Sequence, residues 1–325
     1  MNISIPKEIK DMERRVALTP SLVQKLRLEG HSIYVASGAG QACGHTDSDY
    51  HSVGATIVSN EKAYNIADLV VKVKEPLAHE VHQMQSGATV FSYLHLAAAL
   101  ETKEALKNQG VRGIPFEGIQ GDDGGFPLLK PMSEIAGRLA AIEAEDILLK
   151  NKGRKMDHAK VLVIGGGVAG TAAALACECR GAKVSVIDKS DEAIARLNAL
   201  SITAYQSPSD DFLKQILRDV DVLIGAVLIP GKEAPKVINA THIKEMEEGG
   251  VFVDIAIDQG GCSTTSRPTT HSNPTYDKYS VTHYCVTNMP GKAYRDATDV
   301  LSNAIFPYVK LLAHDEYALE HFREV

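Results

Sequence analysis

A chain of 325 residues is longer than one core usually organises, so two domains of comparable size are expected. Hydrophobic residues at 44% and charged residues at 23% exclude disordered, collagen-like and low-complexity architectures. A net charge of -7 with no basic patch argues against nucleic acid and anionic membrane as partners, no apolar stretch reaches bilayer length, and the strand-like Asn2-Ile3-Ser4-Ile5 shows no basic region followed by an apolar run; the expectation is a cytoplasmic enzyme.

Short apolar runs at residues 3–5, 32–36, 69–73 and 89–94 read as strands. Between them lie helix candidates. One opens at Pro20, carries Leu22, Val23 and Leu26 on one face and stops at Gly30, which follows the preference for proline at a helix start and glycine past its end. Strands and helices alternating in this way predict a parallel, doubly wound sheet. From Ser133, which can cap free amides, Ile135, Leu139, Ile142, Ile147 and Leu148 recur at helical spacing and predict a long helix linking the domains.

A second doubly wound unit starts at Lys160-Val161-Leu162-Val163-Ile164, an apolar run suited to a central strand covered on both faces. Later strands are expected at 184–187, 222–224, 250–255 and 281–286, and a last helix at 296–312 returns to the first domain. The predicted fold class is therefore α/β with two doubly wound domains: a Rossmann dinucleotide-binding domain, residues 129–295, inserted in a discontinuous substrate domain made of residues 1–128 and 296–325.

The first strand of the second unit runs into Gly165-Gly166-Gly167-Val168-Ala169-Gly170, a Gly-x-Gly-x-x-Gly pattern opening an Ala-rich helix at 171–179. Gly165 makes the tight turn, Gly167 leaves room for a pyrophosphate at the helix N-terminus, and Gly170 permits close helix–strand packing. Asp188 ends the next strand about twenty residues on, completing the dinucleotide fingerprint. Its carboxylate would accept the adenosine ribose hydroxyls and repel the extra phosphate of NADP, so NAD is the expected cofactor, although Lys189 beside it could partly neutralise such a phosphate. The alternative is a glycine turn without ligand and an aspartate serving only as a cap.

The five cysteines Cys43, Cys177, Cys179, Cys262 and Cys285 are odd in number and scattered, which suits buried thiols rather than a disulfide framework. Cys177 and Cys179 point to different helix faces and cannot share an ion without distortion, so no metal is expected.

Around the fingerprint, further segments resemble the alanine dehydrogenase family over nearly the whole length. They are Ile5-Pro6-Lys7-Glu8, Glu13-Arg14-Arg15-Val16-Ala17, Lys72-Val73-Lys74-Glu75-Pro76, Tyr93-Leu94-His95-Leu96-Ala97-Ala98 and Pro131-Met132-Ser133-Glu134 before it. After it come Ile224-Gly225-Ala226-Val227-Leu228-Ile229-Pro230-Gly231, Asp254-Ile255-Ala256-Ile257-Asp258-Gln259-Gly260-Gly261 and Asn288-Met289-Pro290-Gly291. The resemblance implies that Arg15 and Lys74 hold a substrate carboxylate, that His95 and Asp258, with Lys74, act at the reacting carbon, and that Ser133, Val227, Leu228, Asn288 and Met289 line the cofactor site beside Gly165, Gly167, Val168, Ala169, Gly170 and Asp188. These roles are chemically reasonable. Arginine offers carboxylates a two-pronged geometry that lysine supplements as a point charge, and histidine is suited to proton transfer at a carbonyl or carbinolamine oxygen. Taken singly, each residue could instead be an exposed charge, a packed histidine or a turn cap.

The implied activity is reversible, NAD-dependent oxidative deamination of L-alanine or a similar small amino acid to the 2-oxo acid and ammonia. Two alternatives are a reductase of a related imine or 2-oxo acid and a non-catalytic NAD(H)-binding module like the transhydrogenase subunit, which lacks counterparts of His95 and Asp258. Only the short segment 151–159 stands where the family carries a Gly-rich hairpin, the tail is shorter, and Lys292-Ala293-Tyr294-Arg295-Asp296-Ala297-Thr298 replaces a Pro-Arg-Thr-Ser-like run. A homo-oligomer is expected, with a dimer on at least equal footing with a hexamer, and the substrate is expected to lie in a cleft between the domains.

Overall fold

The computed structural model describes residues 1–96, 99–229 and 233–322. Ala97, Ala98, Pro230 and Gly231 of the family-like segments lie outside the described residues. Two compact units emerge: Met1–Pro131 with Ala293–Val325, and Met132–Lys292.

The first unit is built on six parallel strands, β1 (Asn2–Ile5), β2 (Ser32–Ala36), β3 (Thr56–Val58), β4 (Leu69–Val71), β5 (Thr89–Ser92) and β6 (Arg112–Pro115), in the order β3-β2-β1-β4-β5-β6. Ile3 pairs with both Ile33 and Leu69, which places β1 at the point where the winding reverses. The central strands β1, β4 and β5 are buried on both faces, and Val70 and Val90 pack with Leu94, Leu106 and Val111 on one side of the sheet. The helix Pro20–Leu28 forms with proline in its first turn, buries Leu22, Val23 and Leu26, and ends ahead of Gly30, whose φ of +89° only glycine adopts freely.

The second unit is a seven-stranded sheet of β7 (Lys160–Ile164), β8 (Lys183–Asp188), β9 (Thr203–Gln206), β10 (Val222–Gly225), β11 (Val251–Asp254), β12 (Thr275–Lys278) and β13 (Val281–Tyr284). Its order is β12-β13-β11-β10-β7-β8-β9, parallel throughout except for the β12–β13 hairpin. Apart from the hairpin strand, this is the winding of a Rossmann domain, with its reversal between β7 and β10. Val161, Val163, Val222 and Ile224 form one core with the helices Lys130–Lys152 and Val168–Glu178.

Four expectations change in detail. The long helix begins at Lys130, so Ser133 lies within its first turn and does not cap it. The helix after the glycine turn starts at Val168, and the last helix spans Tyr294–His314. The cysteines are not uniformly buried: Cys177, Cys262 and Cys285 are, Cys43 is half-buried and Cys179 is exposed.

Candidate active site

In the first unit the three residues expected to meet the substrate follow the C-terminal ends of three adjacent parallel strands. Arg15 comes after β1, Lys74 after β4 and His95 after β5. In an open α/β sheet this edge, beside the reversal of winding, is where ligands bind, because neighbouring loops diverge there and leave a crevice.

Arg15 is 2% exposed. Its Nε donates to Glu13 Oε1 at 2.7 Å and its Nη2 to Glu13 Oε2 at 2.5 Å. Burial disfavours the charge, but the Glu13 carboxylate outweighs it and raises the guanidinium pKa above its usual value. The two-pronged geometry expected to face a substrate is thus turned towards Glu13, which fixes the guanidinium in place.

Lys74 is half-buried, and its segment is held by Glu8, whose Oε1 accepts the main-chain N–H of Val73 at 2.7 Å and of Lys74 at 3.3 Å. The second oxygen of Glu8 lies 3.3 Å from Lys72 Nζ, which also stands 3.5 Å from Glu80. Burial opposes the Lys72 charge, but the two carboxylates prevail and raise its pKa, so it stays an ammonium beneath the site.

His95 is partly exposed and has a left-handed backbone, φ +46°. Glu117, just past β6, accepts the His95 N–H at 2.5 Å and the Leu94 N–H at 3.1 Å, and its Oε1 is 3.6 Å from His95 Nδ1. The imidazole stacks on Tyr93 with centroids 5.9 Å apart and planes within 6°, and Tyr93 is itself anchored by its hydroxyl donating to the Leu128 carbonyl at 2.6 Å. Glu8 and Glu13 sat inside recognisable segments, but nothing local in the sequence marked Glu117, which reaches His95 across 22 residues.

In the second unit the residues expected to hold a dinucleotide follow strand ends of its own sheet. Gly165 has φ +101°, and a Cβ there would come within 2.6 Å of the Ala226 carbonyl oxygen. A Cβ at Gly170 would collide with the Gly165 carbonyl, whereas at Gly167 nothing lies within 4 Å. The turn therefore needs glycine for conformation at one position and for packing at another, and leaves open space at the third, as a pyrophosphate approaching the start of the helix Val168–Glu178 requires. Val168 is exposed and Ala169 half-buried beside it.

Asp188, at the end of β8, accepts the Gly166 N–H on Oδ2 at 2.6 Å and the Ser190 N–H on Oδ1 at 2.8 Å. Each oxygen retains a lone pair for a ribose hydroxyl. The opposite side of Gly166 is tied down by Arg196, whose Nη2 donates to its carbonyl at 2.7 Å, a contact the sequence did not suggest.

Val227 and Leu228 follow β10, half-buried and exposed respectively. Asp258 is exposed in the 3-10 turn Ile255–Gln259 after β11, and its Oδ1 accepts the Asn288 N–H at 3.0 Å. Asn288 follows β13 with φ +57°, and its carbonyl meets His271 Nε2 at 3.1 Å. Met289, expected to line the cofactor site, is only 3% exposed and its side chain packs into the core. Ser133 is half-buried on the helix Lys130–Lys152. The turn bearing Asp258 is organised by buried Asp254, which accepts from Ala256 N at 3.0 Å, Cys262 N at 2.9 Å and Ser266 Oγ at 2.5 Å; burial raises its pKa against those bonds.

Comparison with known proteins gives the family. The family model "Alanine dehydrogenase/PNT, N-terminal domain" matches residues 4–136, and "Alanine dehydrogenase/PNT, C-terminal domain" matches residues 136–324. The chain is 44% identical over 329 aligned residues to an alanine dehydrogenase from Halomonas elongata, covering 96% of this chain and 88% of that one. To the alanine dehydrogenase of Methanococcus maripaludis it is 40% identical, covering 98% and 88%. A solved L-alanine dehydrogenase structure superposes with a TM-score of 0.92 at 40% identity, covering 99% of this chain and 92% of that one. A transhydrogenase from Sinorhizobium meliloti shares the fold, with a TM-score of 0.88 at 23% identity and coverage of 99% and 96%. With both domain models matched in order along nearly its full length, the chain belongs to the alanine dehydrogenase/PNT family.

Proposed function

We propose that this chain is an NAD-dependent alanine dehydrogenase, converting L-alanine or a similar small amino acid reversibly into the 2-oxo acid and ammonia. The observation that carries the reading is the arrangement of Arg15, Lys74 and His95 behind three adjacent parallel strands, in a chain at least 40% identical to proteins named for that activity. The open face of Gly167, the positive φ of Gly165 and the carboxylate of Asp188 fit a dinucleotide, held also by Val168, Ala169, Gly170, Val227, Leu228, Asn288, Met289 and Ser133. Bound there, NAD would supply the acceptor for the hydride of the amino-bearing carbon.

The chain's own groups do the rest. Arg15 and Lys74 supply the positive charge that holds the substrate carboxylate. Asp258 stabilises the iminium cation left by hydride departure. His95 takes a proton from the water that adds to the imine carbon, gives it to the carbinolamine nitrogen, and then, neutral again, removes the proton of the carbinolamine hydroxyl as ammonia leaves and the carbonyl forms. Glu117, Tyr93 and Glu13 orient the reacting side chains. We place the enzyme in the cytoplasm as a homo-oligomer, a dimer or a hexamer, on family resemblance; among the described residues no helix is long and apolar enough to cross a membrane.

The test is a substrate screen: amino acids with NAD, and 2-oxo acids with NADH in the presence and absence of ammonium. L-Alanine oxidation and ammonium-dependent reduction of pyruvate are expected. Reduction that does not need ammonium would point to a 2-oxo acid reductase, and no substrate-dependent turnover would point to a nucleotide-binding module.

A further inference from the structure

In the first unit, away from the sheet edge that carries Arg15, Lys74 and His95, two helices end beside one another. Glu29 is the C-cap residue of the helix Pro20–Leu28, and His314 is the last residue of the helix Tyr294–His314. His31, at the start of the next strand segment, completes a cluster in which one ligand atom from each of Glu29, His31 and His314 lies within 4.8 Å of the others. The rings of His31 and His314 meet edge to face at 5.2 Å, and His314 Nε2 is 3.3 Å from Glu29 Oε2.

Two observations separate this cluster from an ordinary surface ion pair. His31 is 6% exposed, and its Nε2 is buried with no hydrogen-bond partner among the described residues. A buried imidazole nitrogen left unmatched costs free energy unless something fills its vacancy. Both helices also present their C-terminal ends, whose partial negative charge favours a cation.

We propose that Glu29, His31 and His314 form a binding site for a borderline divalent cation of the zinc class, which would fasten the end of the C-terminal helix to the end of the first. Two imidazoles and one carboxylate are a donor set suited to such an ion, with water in the remaining position. Ligands about 2.0–2.2 Å from zinc stand closer together than the present spacing, and the exposed side chains of Glu29 and His314 can turn inward to meet the buried ring. Lys310 Nζ, 2.6 Å from Glu29 Oε1, competes for the carboxylate.

The experiment is calorimetric titration of the untagged full-length chain with zinc chloride, paired with thermal unfolding with and without the metal. One zinc per chain and a zinc-dependent rise in Tm are expected, because an ion bound only by the folded state stabilises it. Both H314Q and E29Q, exposed positions whose folding circular dichroism checks independently, should weaken this binding by about tenfold or more and remove the Tm rise, since losing a ligand costs at least what losing a supporting partner does. K310Q should bind more tightly by freeing Glu29. The site is overturned if the wild-type chain takes up no zinc, or if H314Q and E29Q bind zinc as the wild type does.

Discussion

Glu117 accepts the main-chain N–H of His95 at 2.5 Å while its Oε1 stands 3.6 Å from that residue's Nδ1, so one carboxylate fixes the backbone of the proposed acid–base group and lies beside its ring. His95 occupies the left-handed region, φ +46°, which costs a non-glycine residue about 1–2 kcal/mol and persists only where neighbours hold it. His95→Ala should lower turnover by roughly a hundredfold or more, the usual reach of general acid–base catalysis. Glu117→Ala should lower kcat with little change in KM, because a misplaced ring loses rate rather than substrate affinity, and Glu117→Gln should recover part of the loss through its amide oxygen. NADH affinity, read by fluorescence, should hold in all three. A Glu117→Ala enzyme with unaltered kcat would remove the positioning role.

Asp188 carries two tasks that can be separated. Its carboxylate secures the glycine turn through Gly166 N–H at 2.6 Å and is also the group expected to meet the ribose. Asp188→Ser should therefore weaken NAD binding and, separately, narrow the gap between NAD and NADP, since a 2′-phosphate would no longer face a negative charge. The ratio of kcat/KM values for the two nucleotides is the measurement, and a ratio unchanged from wild type defeats the ribose assignment even if overall affinity falls.

The central strands were legible in the sequence because burial on both faces leaves continuous apolar runs, as in Lys160–Ile164 and Leu69–Val71. Strands β3 and β9, at the sheet edges, were missed: Thr203–Gln206 is mostly exposed and Thr56–Val58 only three residues long, so neither shows a pattern. The edge strand β6 hid behind its glycine and proline, Arg112-Gly113-Ile114-Pro115, which interrupt an apolar strand pattern. At the site, glycines announced themselves because their spacing follows the local turn. Glu117 and Arg196 did not, because their partners are brought close only by the crossing of the chain.

Two glycines distinguish packing from ligand space. A Cβ on Gly137, in the helix Lys130–Lys152, would collide with the Ala169 carbonyl oxygen and lie 2.8 Å from Ala172 Cβ, within the backbone of the helix that opens the nucleotide turn. Gly137→Ala should destabilise the second unit by roughly 1–3 kcal/mol, as overpacking of a close helix contact does. Gly167 has φ -68° and open space around it, so Gly167→Ala should leave the unfolding midpoint within about 0.5 kcal/mol of wild type. Its NADH affinity should nonetheless fall. Chemical denaturation and fluorescence titration of both variants decide the matter; a stable Gly167→Ala protein with full NADH affinity would move the pyrophosphate elsewhere.

His283 supplies a pH dependence that belongs to the second unit alone. The residue is fully buried on β13, its Nδ1 is 3.0 Å from the Val281 carbonyl and its Nε2 2.8 Å from Thr265 Oγ1, with Tyr276 stacked on the ring and Phe252 against its edge. These partners specify a neutral ring that donates from Nδ1 and accepts at Nε2. Burial lowers the pKa from its usual 6.5, more strongly than the Val281 carbonyl raises it. A folded pKa below the unfolded one means that the unfolded chain binds the proton more readily, so the stabilising contribution is complete above pH 6.5 and is lost as the pH falls through the lower, folded value. The urea midpoint of the wild type should therefore drop on acidification below pH 6.5, and His283→Gln, though less stable throughout, should show a shallower drop. Comparing the two proteins cancels the carboxylates and the other histidines, which titrate in both. Parallel curves for wild type and variant across that range would mean that His283 takes up its proton equally in the folded and unfolded chains, and the neutral hydrogen-bonded ring would have to be abandoned.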